Sequence, residues 1–231
     1  MSENNYLSAL AKIREEFGKG NPLRMADCSG AKYQKTTKSD ASLSSREQIG
    51  IFTLRYLNKD YYITFPDGQI SFAECDNSPD FHISTDYSGN TILVSDQTLI
   101  LMYLTQASGI SPRGQWVNFL QLPEGSHHHG PFINDAINPL VKTFNGKKDL
   151  FLNVIKELGG SEARMGDYGG VINPFPKIPL AFLIWEGDDE FPPKGNILFD
   201  SSISMFLDTA GAYVLGINAA RRMMAVADCI K

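Results

Sequence analysis

Polar and apolar positions along the chain follow two periods, and the change from one to the other marks the elements. Tyr6, Leu7, Leu10, Ile13, Arg14 and Phe17 recur at helical spacing until Gly18 and Gly20, which predicts an amphipathic opening helix. Asn21-Pro22 starts a second helix, with Asn as cap and Pro in the first position, where no N–H is needed; it ends near Ser29-Gly30. Residues 36–45, rich in Ser, Thr and Lys, have no periodicity and read as an exposed, mobile loop. A period of two then predicts an antiparallel meander. Its strands are Ile49 to Leu57, Tyr61 to Phe65 and Gln69 to Ala73, joined by turns at Asn58-Lys59-Asp60 and Pro66-Asp67-Gly68. The first strand puts Phe52, Leu54 and Tyr56 on one side and the wetter Ile51, Thr53 and Arg55 on the other, and a helix is expected to cover the sheet.

Asp76 to Asn90 reads as a polar loop carrying His82 and Tyr87. A helix capped by Ser95 or Asp96 follows, with Leu99, Ile100, Tyr103, Leu104 and Ala107 as its stripe and Gly109 as its stop. Trp116 to Leu122 is strand-like and Pro123 to Pro131 reads as a loop. The next helix is expected to break at Asn138-Pro139 and restart as far as Asn145-Gly146, and Lys148 to Leu158 forms another. Gly166, Gly169 and Gly170 read as turn chemistry, and the run Asn173-Pro-Phe-Pro176 leads into the buried strand. Ile178 to Trp185 is short, branched and aromatic, which predicts a buried strand. Asp208 or Thr209 caps a long terminal helix through Val214, Leu215, Ile217, Met223, Val226 and Ile230. With helices and strands in blocks and no repeat of fixed period, the expected class is α+β. A largely antiparallel sheet carries packed helices and a long C-terminal helix, in one globular domain spanning residues 1–231.

Composition narrows the partners. Apolar residues make up 42% of 231, enough for a core, and 26 acidic against 21 basic residues leave a net charge of −5. Lys and Arg cluster no further than pairs such as Lys147-Lys148, so nucleic acid is not expected as a partner. No membrane span or signal peptide is read from the chain, and a cytoplasmic location is expected. Cys28, Cys75 and Cys229 are odd in number and far apart, which argues against a disulfide framework or zinc ribbon. Three cysteines cannot by themselves hold an iron–sulfur cluster that needs four thiolates. Phosphate-loop, dinucleotide and nucleophile-elbow motifs are missing, and Cys28 as a nucleophile has only distant histidines to serve it.

Two stretches carry candidate chemistry. Where the buried strand surfaces, Asp188, Asp189, Glu190 and the later Asp200 are expected to gather, beside Trp185 and Phe191, as a cation or cofactor site. The opposing reading makes 188–190 a solvated turn and Asp200 the cap of a local one. His127, His128 and His129 form the second stretch. Loop residues two apart can face the same way, so His127 and His129, completed by His82 or by a carboxylate such as Asp200, are the candidate metal ligands.

Leu122-Pro-Glu-Gly125, Pro139-Leu with Phe144, Leu158-Gly-Gly160 and Phe175-Pro-Lys-Ile-Pro-Leu180 recur together with Trp185-Glu-Gly-Asp-Asp-Glu-Phe-Pro192 and Ile197-Leu-Phe-Asp-Ser201. In these motifs, and in Ser29-Gly30-Ala31, the chain resembles a prokaryotic family known as domain of unknown function 3786. Some relatives are described as putative iron–sulfur proteins with an extra cysteine-rich segment, which this chain lacks. The resemblance implies an anaerobic setting close to corrinoid, tetrapyrrole or one-carbon chemistry. It transfers no catalytic residue. The expected function is binding of a small-molecule cofactor, such as a corrinoid or other tetrapyrrole, or of another protein, through Trp185, Asp188, Asp189, Glu190 and Phe191 near the 123–131 loop. Two alternatives stand beside it. One is an enzyme dependent on a divalent metal, using the turn 188–190 with a loop histidine. The other is an assembly module, homodimer included, docking through Met223 and Met224 of the terminal helix.

Overall fold

A computed structural model describes residues 3–35, 50–73 and 91–230. The chain forms two compact units, residues 1–109 and 110–231. The expected loop 36–45, the polar stretch 76–90 with His82 and Tyr87, and Cys75 lie outside the described residues.

In the first unit, helix α1 (Glu3–Gly18) buries Leu10, Ile13 and Phe17, while Leu7, expected in the same stripe, is exposed. Helix α2 (Pro22–Ser29) starts as its sequence predicts. The Asn21 side chain accepts from the N–H groups of Leu23 and Arg24, and Gly30 closes the helix at φ 75°, a left-handed conformation that costs glycine little. Four antiparallel strands follow in sheet order β1 (Lys32–Lys35), β2 (Gly50–Tyr56), β3 (Lys59–Phe65) and β4 (Ile70–Phe72). The β2–β3 turn is tighter than expected: Leu57 and Asn58 both have positive φ, as a two-residue hairpin requires, and Lys59 and Asp60 already belong to β3. Phe52 and Leu54 bury against their cross-strand partners Ile63 and Tyr61, and Phe17 of α1 sets its ring 5.7 Å from Phe52 and 5.4 Å from Phe65. The apolar face of the meander thus takes the opening helix. Helix α3 (Val94–Gln106) begins slightly before the expected caps. Asp96 instead accepts from the Tyr56 hydroxyl, and Tyr103 donates to the Ser29 carbonyl.

The second unit is built on a five-stranded antiparallel sheet in the order β5 (Trp116–Asn118), β9 (Lys194–Asp200), β8 (Ile178–Trp185), β7 (Tyr168–Phe175) and β6 (Ser161–Ala163). Strand β8 is central and buried from Leu180 to Ile184, as the apolar run predicts. Strand β5 is shorter than the 116–122 run because Phe119–Gln121 turns into a single 3₁₀ turn capped by Asn118. Strand β7 (Tyr168–Phe175) contradicts the turn reading of Gly169 and Gly170. A Cβ on Gly170 would stand 2.5 Å from Ile155 of helix α6 (Lys148–Glu157), so glycine lets the helix lie close on the sheet. Pro174 falls at a register shift between Ile172 and Phe175, where the ladder has no need of its missing N–H.

The largest correction lies between 123 and 144. The expected loop 123–131 is mostly helix, and the helix does not break at Asn138-Pro139: α4 (Gly125–Phe132), a π-turn (Ile133–Ile137) and α5 (Asn138–Phe144) run on without interruption. Pro139 has no N–H to return to the preceding turn. The chain widens there, so that the Asn138 N–H reaches the Ile133 carbonyl five residues back, and the helix continues. Helix α7 (Thr209–Cys229) is capped by Asp208, which accepts from the Gly211 N–H. Its Gly216 lies where a Cβ would come within 2.6 Å of the Phe132 ring. Both sheets are antiparallel and the last helix is long, so the fold is α+β.

Candidate functional site

The strand register decides which candidates meet. Trp185 pairs with Lys194 at one end of the β8–β9 hairpin, and Phe199 pairs with Leu180 near the other, so Asp200 stands six residues along β9 from Lys194. At about 3.3 Å per residue this is roughly 20 Å from the acidic turn. The expected gathering of Asp200 with Asp188, Asp189 and Glu190 does not form, because a hairpin separates residues that its sequence brings within a dozen positions.

Asp200 is instead a buried fastening point. It is 1% exposed. Its Oδ1 accepts from the N–H groups of Arg113 and Ser202 at 2.9 Å each and from the Ser202 hydroxyl, and its Oδ2 accepts from the Gly114 N–H at 2.6 Å. Burial pushes its pKa upward, but the Ser202 hydroxyl and the three backbone N–H groups together outweigh burial and hold it below the ordinary carboxylate value. A carboxylate so fully engaged has little capacity left for a metal ion.

The histidines do not converge either. On a helix, residues two apart point about 200° away from each other. His127 is exposed, whereas His129 is half-buried with an Nδ1 that has no partner. The loop geometry that would have let both bind one ion is absent because 125–132 is helical. Among the described residues no three His, Cys, Asp or Glu side chains come together as a metal-binding group. The residues His127, His129 and Asp200 therefore do not fit a shared metal ion.

The histidine helix and the acidic turn also lie apart. Phe132 rests 6.1 Å from Phe199, and Val141 approaches Gly195, so the helix runs beside β9 with its histidines toward the Asp200 end. From Val141 back to His129 is about 18 Å of helix. The expected pocket between residues 185–191 and 123–131 is not formed.

What remains at the hairpin tip is an exposed aromatic and acidic surface. All residues from Trp185 to Pro192 are exposed; Trp185 is 40% and Phe191 61% accessible. The tip has a defined shape. The Asp188 N–H donates to the Phe191 carbonyl, and Asp188 Oδ1 accepts from the N–H groups of Glu190 and Phe191 at 2.9 and 2.7 Å. These two N–H groups, that of Phe191 foremost, lower the Asp188 pKa. Asp167 joins from the turn before β7: its N–H donates to the Ile184 carbonyl and its Oδ2 accepts from the Glu186 N–H at 2.7 Å. Sequence reasoning did not find Asp167, since nothing local marks a residue 19 positions from its partner. The negative field is felt by Tyr168, whose pKa is raised first by burial and further by Glu186 and Asp167.

A second group of polar side chains was also missed. The Tyr213 hydroxyl donates to Asp135 of the π-turn at 2.8 Å, and the His128 ring lies 6.0 Å from the Tyr213 ring. Of the two methionines named for docking, Met223 is fully buried in the core, whereas Met224 is half-buried. Among the described residues no helix is long and apolar enough to cross a membrane.

A family model matches residues 21–222, most of the chain, under the description "Domain of unknown function (DUF3786)". No curated protein matches the chain. No solved structure matches it.

Proposed function

Because the chain belongs to the DUF3786 family, whose description names no activity, we propose from its surface that it is a non-catalytic binding protein and that it docks a partner protein through the β8–β9 tip. The observation that carries this reading is the pair Trp185 and Phe191, held exposed on a turn that Asp188 and Asp167 brace. Small-molecule sites enclose their ligand in a concavity, whereas every residue of this tip is open to solvent, which favours a protein surface over a cofactor as the occupant. Trp is among the residue types that dominate binding energy when a partner covers them, and Phe is enriched in the cores of such interfaces. The setting we propose is the one implied by the family resemblance, anaerobic metabolism close to corrinoid or one-carbon chemistry.

The test places a photo-crosslinking amino acid at position 191, and at exposed Met205 as a control, in the native host. A product specific to position 191, identified and rebuilt from purified proteins, is expected to lose affinity about 30-fold on Trp185→Ala, the effect of a hot spot worth about 2 kcal/mol. Equal crosslinking from 191 and 205, or an affinity indifferent to Trp185, would overturn the reading.

A further inference from the structure

Granting that the tip docks a protein, its charge says what kind. Five carboxylates, those of Asp167, Glu186, Asp188, Asp189 and Glu190, belong to the tip and the turn that braces it, against the two cations Arg164 and Lys194. Asp188 spends Oδ1 on the turn itself, and Asp167 spends Oδ2 on Glu186, but Glu186, Asp189 and Glu190 are exposed and make no side-chain hydrogen bond that shapes the tip. An acidic partner would be repelled, and an apolar one would strand these carboxylates unpaired beneath it. Beside them stand two exposed aromatic rings, each with a face that attracts cations. Arginine satisfies both features at once, since its guanidinium stacks flat on a ring while its edge donates a fork of N–H groups to a carboxylate.

We infer that the β8–β9 tip recognises an arginine-bearing basic segment of a partner protein, with guanidinium groups stacked on Trp185 or Phe191 and hydrogen-bonded to Glu186, Asp189 and Glu190. The inference rests on the docking reading and adds the chemistry of the partner.

A fluorescently labelled hexa-arginine peptide is the probe, followed by anisotropy against the full chain, with hexa-lysine and hexa-citrulline as comparisons. Citrulline keeps the shape of arginine and removes its charge. The arginine peptide is expected to bind at about 20 mM salt, more tightly than the lysine peptide, and to weaken by about tenfold or more as salt is raised to about 0.5 M. The triple variant Glu186→Gln, Asp189→Asn, Glu190→Gln leaves the turn-forming Asp188 intact. It is expected to weaken binding by about tenfold at low salt. Trp185→Ala combined with Phe191→Ala is expected to remove the preference for arginine over lysine while leaving part of the salt dependence. Citrulline binding as well as arginine, or the triple variant binding like the wild type, overturns the inference. A crosslinked partner that meets position 191 with an uncharged surface also overturns it while leaving the docking reading in place. Equal crosslinking from positions 191 and 205 overturns the docking reading, and with it the basic partner, even where the peptide still binds.

Discussion

Replacing Asp200 by Ala removes the acceptor for four donors, and the burial of each donor sets the cost. Ser202 is 1% exposed, so its N–H and hydroxyl cannot turn to water once the carboxylate is gone. Hydrogen bonds to a charged acceptor contribute about 1.5–3 kcal/mol each, and a buried orphaned donor loses most of that. Arg113 and Gly114 are exposed and can be resolvated, so their contribution is smaller. Against this stands the desolvation cost of the buried carboxylate, which the substitution relieves. The net expectation is a loss of about 3–5 kcal/mol. For Asp200→Asn, which keeps one acceptor oxygen and turns an amide toward the Gly114 N–H, it is about 2 kcal/mol. Urea unfolding at neutral pH measures both, and hydrogen exchange at Arg113, Gly114 and Ser202 reports local release of the 113–114 segment. The pH dependence follows from the sign of the shift. A carboxylate whose folded pKa lies below its unfolded value of about 3.9 stabilises the fold above that value, and the contribution is lost as pH falls through the folded pKa. The stability difference between wild type and Asp200→Asn should therefore be constant near neutrality and shrink below about pH 4. An Asp200→Ala variant within about 1 kcal/mol of wild type, with unchanged exchange at those three amides, would refute the fastening role and return Asp200 to the candidates for ligand binding.

Gly216→Val forces a branched side chain into the Phe132 ring and is expected to cost about 1–3 kcal/mol in the same unfolding assay; an unchanged midpoint would mean that α7 does not pack as described. Asn21→Ala removes the two capping bonds of α2 and should cost about 1 kcal/mol, with faster hydrogen exchange at Leu23 and Arg24 as its local signature. His127→Ala with His129→Ala should leave nickel or zinc affinity, measured by calorimetric titration, unchanged within about twofold, because the helix turns the two rings apart; a tenfold loss would contradict that geometry.

Elements whose signal is local were legible. The Asn21-Pro22 start and Gly30 stop of α2, the Asp208 cap of α7 and the apolar run of β8 each rest on residues that touch their sequence neighbours, and the structure carries all of them. Misreadings arose where a local signal was overruled from a distance. Gly169 and Gly170 read as a turn, yet their missing side chains serve the closeness of Met165 and Ile155. Pro139 reads as a break, yet packing on both sides of it held the helix together through a π-turn.

The candidate site divides along the same line. Sequence by itself determined that an acidic, aromatic segment follows a buried strand, because burial of the run 180–184 requires it to surface at Trp185 and carboxylates resist burial. Only the tertiary structure decided which acidic residues act together. The hairpin register sent Asp200 to the far end of β9, the pairing of β7 with β8 brought Asp167 to the tip, and helix formation from Gly125 turned His127 and His129 apart. The physical reason is that strand pairing and helix continuation are settled by long-range burial, which no short window of sequence contains.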